Sequence, residues 1–599
     1  MKTVPRLNAG AMISALMMTL GLAGQAWAIQ PGEVVDNFRL LDQNGKSHEL
    51  YYSSDMKAVV LMVHGNGCPI VRQALPALRE IREQYQAQGV EFLLLNSNLQ
   101  DKRDAVAAEA KEFNVDFPIL LDEAQLIGEA LGVVRTSEVF VIDPKGWKLV
   151  YRGPMDDRLS YEKQRPASKH YLTDALDSVL AGKPVKVAKA DGVGCLVNFP
   201  ERDRKVSHSK ISYSQEIAPM LVDKCTACHQ TGGVGPWAMT SYDMVKGFAP
   251  MIREVVRTQR MPPWHADPHY GAWQNTRALT DDQRKTLVHW IEAGASRGTG
   301  PDPLLKVKPD TNEWKHGKPD LIVEIPAYDI PATGVIEYQY PRVKNPLGRD
   351  VWITAVEIHP GARQAIHHII AQEPVFVNGE QRNNAGGNLG GFAPGMSPIV
   401  YPSDTGVLFP KNGDFVFQMH YTPNGQAVTD HSKVGFYFRE VDNPPKYPLH
   451  LTALTDFRFE IPPGAKEYGT TVTRDISRDM LIYNFMPHSH LRGKSGTMSV
   501  VYPEGKQEIL LNVPKYDFNW QTVYEYQEPK KIPAGSKLVW NFNWDNSPQN
   551  PGNPDPTKAV KWGDQTFEEM GIGFVRYRYL DEEVGKPAPA QVTKTAAND

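Results

Sequence analysis

The chain is poor in cysteine, with four residues in 599: Cys68, Cys195, Cys225 and Cys228. An exported scaffold of this size stapled by disulfides would carry many more, so packing must hold the fold and each thiol is free for a particular task. Excess positive charge is missing too. The formal net charge is −4 and no basic block occurs, which argues against nucleic acid as a partner. Beyond the N-terminal segment no run is apolar enough to span a bilayer, so no membrane span is expected in the mature form. At 599 residues one core does not suffice, and several domains are expected.

What is present starts with MKTVPRLNAGAMISALMMTLGLAGQAWA. Lys2 and Arg6 precede an apolar run from Ala9 to Ala23, and Ala26-Trp27-Ala28 forms an A-x-A cleavage site. This is the layout of a secretory signal over 1–28, which predicts a periplasmic or secreted protein starting near Ile29. The apolar run is short for an uncleaved anchor.

From 29 to 190 strands and helices alternate. KAVVLMVH reads as a buried strand, GNGCPI as a loop and VRQALPALREIREQYQAQ as a helix. EFLLLNSN is a second strand, and SEVFVID with KLVYRG a later hairpin. Strand, loop, helix and strand in that order predict a parallel α/β unit. The stretch 205–300 reads as helical and ends in TDDQRKTLVHWIEAGA, with Thr280 as N-cap and Gly294 as stop. Short β-rich runs punctuated by Pro and Gly then predict two antiparallel β-sandwiches, 318–450 and 451–580. The tail 581–599, rich in Pro, Ala, Lys and Thr, reads as disordered.

Three groups of residues carry chemistry. Cys225-Thr226-Ala227-Cys228-His229 is C-x-x-C-H, the attachment signal for a c-type haem. Its two thiols form thioethers and its imidazole becomes an axial iron ligand. A redox dithiol or half a zinc site are the other readings, but zinc needs further ligands and no second CxxC exists. Met261, in RMPPW, is the chosen sixth ligand, with His265 and His269 as competitors. This segment resembles a class I cytochrome c, which implies an all-α domain.

Cys68 follows a strand and opens a helix, where backbone N–H groups lower a thiol's pKa. The region around it, including Pro76, resembles a redoxin or thioredoxin-like domain. It departs from that pattern at Cys68-Pro69-Ile70-Val71, which lacks the second cysteine, and at Thr136-Ser137-Glu138, where the family places a cis-proline. Cys195, in GVGCLVNFP, is the other candidate redox thiol and a candidate disulfide partner for Cys68. A docking module and a redox-active domain both remain open readings.

The third group lies in the β-rich region. His488 and His490, in FMPHSHLR, sit two apart, so a strand presents both on one face. Upstream lie His367 and His368 in ARQAIHHIIA and His420 in DFVFQMHYTP; downstream lies Met570 in WGDQTFEEMGIG. This order resembles the copper type II, ascorbate-dependent monooxygenases of the peptidylglycine α-hydroxylating type, whose sandwiches are jelly-roll-like. The resemblance implies two copper ions. His367, His368 and His420 would hold an electron-transfer copper, and His488, His490 and Met570 the catalytic copper that meets O2. Imidazole suits both copper oxidation states and a thioether stabilises Cu(I). The peptide-binding members carry an arginine two residues before the HxH pair and polar anchors after the methionine. Here those positions are Met486 and Gly571–Gly573, so a glycine-extended peptide is not implied.

The expectation is an exported copper monooxygenase fed through one covalently bound haem c. It would act with O2 on a small-molecule or peptide substrate. Its external electron donor would be a reduced cytochrome, a quinol-linked carrier or an ascorbate-like reductant. A non-catalytic haem and copper electron-transfer or copper-handling protein is the alternative, and a thiol peroxidase centred on Cys68 a third.

Overall fold

A computed structural model describes residues 29–586 except 162–164, 204–206, 232, 309–312, 383–386, 394–395 and 397. The expected signal segment 1–28 and the tail from 587 lie outside the described residues. Among the described residues no helix is long and apolar enough to cross a membrane.

The N-terminal part is a seven-stranded mixed sheet. Strands Ala58–Val63, Val90–Asn96 and Ile119–Leu121 run parallel. Val139–Asp143 pairs antiparallel with Ala58–Val63 and turns into Lys148–Gly153, the expected hairpin. Every residue of Ala58–Val63 is buried, because both faces of the sheet are covered. On one face Val60 and Met62 pack with Leu75 and Leu78 of helix Pro69–Tyr85 and with Leu172 and Leu176 of helix Tyr171–Leu180. On the other face Val59, Leu61 and Val63 share a core with Leu126 and Leu131, and that core runs on into Tyr213, Leu221, Val245 and Trp290.

The last four residues belong to the helical region, so that region is not a free-standing all-α domain. Its helices Ala218–Lys224, Tyr242–Gly247, Ala249–Arg257 and Asp281–Glu292 complete the core begun by the sheet. Thr280 caps the last one in a reciprocal box with Gln283, and Gly294 follows its end at φ 94°. The helical reading of this region is corrected between 258 and 280, where no helix forms. Pro262 and Pro263 remove two backbone donors there. Trp264 and Trp273 find burial elsewhere, in the core of the last β-rich unit beside Tyr524 and Tyr526.

The β-rich region contains two cores. In the first, strands Val351–His359 and Lys433–Glu440 of one sheet share a core with Ile366–Gln372 and Phe415–Tyr421 of another. In the second, Met480–Ser489, Gly571–Tyr579 and Tyr524–Ile532 lie in one sheet, with Gly493–Val501 and Lys537–Trp544 in the other. Alternation explains the layering: Leu538, Trp540, Phe542 and Trp544 are buried while the residues between them are not.

One buried ion pair ties three parts of the chain together. Arg103 Nη1 meets Asp267 Oδ2 at 2.5 Å, and Asn512 Nδ2 donates both to Asp267 Oδ2 and to the carbonyl of Gly45 at 3.1 Å. His269 bridges Asp267 and Glu123 at 3.0 and 3.1 Å. Burial opposes ionisation of Asp267, but hydrogen bonds from His269 and Arg103 prevail and bring its pKa to about 2. Hydrogen bonds to Asp267 and Glu123 raise His269 to about 9. Asp267 therefore stabilises the joint above its unfolded value of 3.8, and that contribution is lost as pH falls through about 2. His269 contributes in full below 6.5, and its share is lost as pH rises through about 9. The melting temperature is expected to fall between pH 7 and 9.5, and His269→Gln to remove that decline. Arg103→Ala, which leaves buried Asp267 with His269 and Asn512 but without its guanidinium, is expected to cost roughly 1.5–3 kcal/mol in denaturant unfolding.

Candidate functional site

Strand Ile366–Gln372 carries His367 and His368, and strand Phe415–Tyr421 places His420 opposite His368. Consecutive residues on a regular strand face opposite ways, so two adjacent histidines share a site only where the pleat breaks. The break is present: the pairing register shifts between Ile366 and His368. As a result His367, His368 and His420 each offer a ring nitrogen, all within 4.8 Å of one another. Nδ1 of His367 and Nδ1 of His368 stand 3.4 Å apart. Gln418 Oε1 holds His368 Nε2 at 3.0 Å, which fixes the tautomer and leaves Nδ1 for the cluster. His420 Nδ1 is buried without a hydrogen-bond partner. Burial first, then the neighbouring imidazoles, lowers His367 to about 4 and His420 to about 3, with His368 well below its ordinary value. These are neutral rings with available lone pairs, as a metal requires.

His488 is the penultimate residue of strand Met480–Ser489 and His490 lies just beyond its end, their rings 5.4 Å apart. His488 Nδ1 meets Gln521 Oε1 at 2.7 Å and His490 Nδ1 meets the Glu568 carbonyl at 3.2 Å. Both therefore keep Nε2 for a ligand, and Nε2 of His490 is buried without a partner. Burial lowers both pKa values, that of His490 to about 3. The partner strand pairs Gly571 with Ser489, so Met570 falls one step further, opposite His490. Its carbonyl is pinned by Ser489 Oγ at 2.7 Å and Trp544 Nε1 at 2.9 Å. The glycines after it have a packing reason: a Cβ on Gly571 would stand 2.3 Å from the Trp544 ring, and one on Gly573 2.7 Å from Trp540. No polar anchor fits there.

Several residues of this site were missed in the sequence. Gln418 was within reach, since it precedes His420 by two in QMHY and so shares its face. Glu569, next to Met570, is fully buried and accepts from the backbone N–H groups of His490 and Arg492 at 3.0 and 2.6 Å, which holds the loop after HSH. Gln521 and Phe518 left no signal. Phe518 stacks on His367 at 4.2 Å and lies 6.2 Å from both His420 and His490, so one ring touches both histidine sets. Beside them a cavity lies between the two β-rich units, lined by His368, Met396, Met486, Gln521, Phe574 and Arg576. Gln521 Nε2 is buried there with no partner.

At C-x-x-C-H, the helix Ala218–Lys224 delivers Cys225, and the His229 N–H bonds back to the Cys225 carbonyl at 2.9 Å. His229 Nδ1 meets the Trp237 carbonyl at 2.9 Å, which would leave Nε2 to bind the iron of a haem held here. The loop closes on this ring through Gly235, where a Cβ would come within 2.7 Å of Nδ1. Burial pushes the Cys225 thiol up to about 12. The residues fit a covalent haem. Met261 lies half-buried just past helix Ala249–Arg257. His269 has both ring nitrogens engaged in the buried joint, which removes it as a competitor, while His265 is buried.

Cys68 stands at the N-terminus of helix Pro69–Tyr85, and Cys195 reaches it from the segment after the domain, Sγ to Sγ 2.7 Å. Residues 30–164 match the redoxin family. The thiol-disulfide oxidoreductase ResA of Bacillus subtilis (strain 168) is 31% identical over 121 residues, which are 20% of this chain and 65% of that protein. ResA of Geobacillus thermodenitrificans (strain NG80-2) is 31% identical over 119 residues, 20% of this chain and 67% of its own length. The chain thus spans just under two thirds of the first relative and about two thirds of the second. Among solved structures, hypothetical protein SMc02350 from Sinorhizobium meliloti 1021 is 29% identical, with a TM-score of 0.27, over 28% of this chain and 94% of that one. An uncharacterized conserved protein from Geobacillus kaustophilus is also 29% identical, with a TM-score of 0.26, over 28% and 93%. Through its residues 30–164, the chain belongs to the redoxin family.

Proposed function

We propose that the protein is an exported copper-dependent monooxygenase that hydroxylates a C–H bond with O2 and draws electrons through a fused c-type haem. The observation that carries this reading is the pair of neutral histidine sets on either side of Phe518, with His368, His488 and His490 each held through one ring nitrogen by the protein. Bound copper supplies one-electron redox chemistry and reactivity toward O2, and bound haem supplies single electrons. The overall reaction, RH + O2 + 2 e⁻ + 2 H⁺ → ROH + H2O, needs an external donor: a reduced cytochrome, a quinol-linked carrier or an ascorbate-like reductant.

The chain's own residues have separable tasks. His367, His368 and His420 converge as one ligand set; His488 and His490, with the Met570 thioether, form the other. Gln418 and Gln521 orient imidazoles, and Glu569 holds the backbone between His490 and Arg492. The cavity beside His368 takes the substrate. Met486 lines it at the position where the peptide-binding copper monooxygenases this region resembles carry an arginine, so the anchor for a glycine-extended peptide is missing.

Oxygen uptake coupled stoichiometrically to a hydroxylated product tests the reading, and copper binding without such turnover would leave only electron transfer or copper handling. Gln418→Leu, which removes the hydrogen bond to His368 without touching a ligand, is expected to weaken one copper by about 10–100-fold. Chelator competition measures this, and unchanged affinity at both sites would refute the ligand assignment.

A further inference from the structure

The redoxin-family part lacks the second cysteine of a CxxC motif, yet Cys68 is not alone. We propose that Cys68 and Cys195 form a reversible disulfide that exchanges with external dithiols, and that attack comes at the exposed sulfur of Cys195. This lies outside the copper and haem reading and does not depend on it.

The approach of the two sulfurs, 2.7 Å apart, is built by the chain on three sides. Residues 195–197 pair antiparallel with the edge at 134–136: the Thr136 N–H donates to the Cys195 carbonyl at 2.9 Å and the Val197 N–H to the Val134 carbonyl at 3.1 Å. Thr136 Oγ1 lies 3.2 Å from Cys68 Sγ and accepts from the Cys195 N–H at 2.9 Å, so one hydroxyl touches both partners. Gly194 permits the approach, since a Cβ there would stand 1.9 Å from the Thr136 carbonyl oxygen. The Tyr161 hydroxyl closes the third side with bonds to Gly194 O at 2.9 Å and Gly194 N at 3.1 Å. Val197 and Phe199 then bury in the domain core and anchor the segment.

The two sulfurs differ in kind. Cys68 is buried and Cys195 exposed. Burial opposes ionisation of both. Hydrogen bonds from Cys195 and Thr136 nevertheless hold the Cys68 thiol below its ordinary value, while burial and the neighbouring sulfur raise Cys195. Exposure lets an incoming thiolate reach Cys195, and Thr136 Oγ1, 3.2 Å from Cys68 Sγ, stays in place to hydrogen-bond Cys68 as it leaves. The S–S bond between them breaks, a mixed disulfide forms at Cys195, and Cys68 departs as a thiolate that takes up a proton. The second thiol of the donor then attacks the mixed disulfide and releases Cys195. The protein gains two electrons and two protons, and the external dithiol becomes a disulfide.

The full-length protein as isolated is equilibrated without denaturant in dithiothreitol at graded ratios of reduced to oxidised form, then alkylated. Peptide mass spectrometry reads Cys68 and Cys195 separately from Cys225 and Cys228. The expected result is one transition in which both thiols appear together and return on reoxidation. With glutathione disulfide, Cys68→Ser is expected to acquire glutathione at Cys195 at least tenfold faster than Cys195→Ser does at Cys68. Gly194→Ala is expected to slow closure of the disulfide in otherwise folded protein. A pair that stays reduced in excess oxidised dithiothreitol, or stays oxidised in excess reduced dithiothreitol, overturns reversibility. Faster modification of Cys68 in the single variants overturns the order of attack.

Discussion

Replacing His488 by alanine is expected to remove one of two copper equivalents and to abolish hydroxylation. His488 presents Nε2 only because Gln521 holds Nδ1 at 2.7 Å, so the substitution deletes a ligand and leaves the buried Gln521 amide without its one bond. The second histidine set has separate supports in Gln418 and the strand Phe415–Tyr421, and its copper should remain. His420→Ala is expected to give the mirror result, losing the other equivalent. Met570→His is the sharper probe. It should keep the metal count at two while weakening the preference for Cu(I), because imidazole is a harder donor than a thioether. Metal analysis, a chelator specific for Cu(I) and a product assay read these outcomes, and a thermal melt on each variant separates ligand loss from unfolding. A wild-type protein that binds no copper, or a His488 variant that keeps both equivalents, would sink the assignment.

The candidate ligand motifs stood out because they are local. HxH, an HH pair and CxxCH are each visible within a few residues, and the need for a distorted strand at His367-His368 followed from the alternation of side chains alone. Residues that act across the fold were not legible. Phe518 matters only because another strand brings His367 against it, and Gln521 only because His488 turns toward it. The helical region misled for the same reason. Its amphipathic helices predict a buried face correctly, but nothing local states that the face is completed by Val59 and Leu61 of the sheet. Nor does RMPPW reveal that Trp264 will bury against Tyr524. The Cys68 to Cys195 approach lay between: both thiols stood out by their scarcity as candidate partners, and the strand-like contact at 134–136 that brings them together left no local signal.

Haem is expected to remain on the wild-type chain through denaturation, and Cys225→Ala together with Cys228→Ala to release it. The argument is geometric. Helix Ala218–Lys224 ends at Cys225, and the turn bonded from His229 N–H to the Cys225 carbonyl brings the thiols and the imidazole into one turn. The Trp237 carbonyl engages His229 Nδ1, so Nε2 would be the nitrogen that binds the iron of an attached haem. With both thioethers lost, haem should extract into acidified acetone and a denaturing gel should show no haem-linked band. Met261→Ala should retain the covalent haem and shift its spectrum away from His/Met ligation, with a fall in reduction potential. If the spectrum does not move, the remaining candidate is His265, because both nitrogens of His269 are committed to Asp267 and Glu123. Such a result would relocate the sixth ligand four residues along the same loop. Haem extractable from the wild-type protein would instead overturn the c-type assignment, and with it the proposed entry point for electrons.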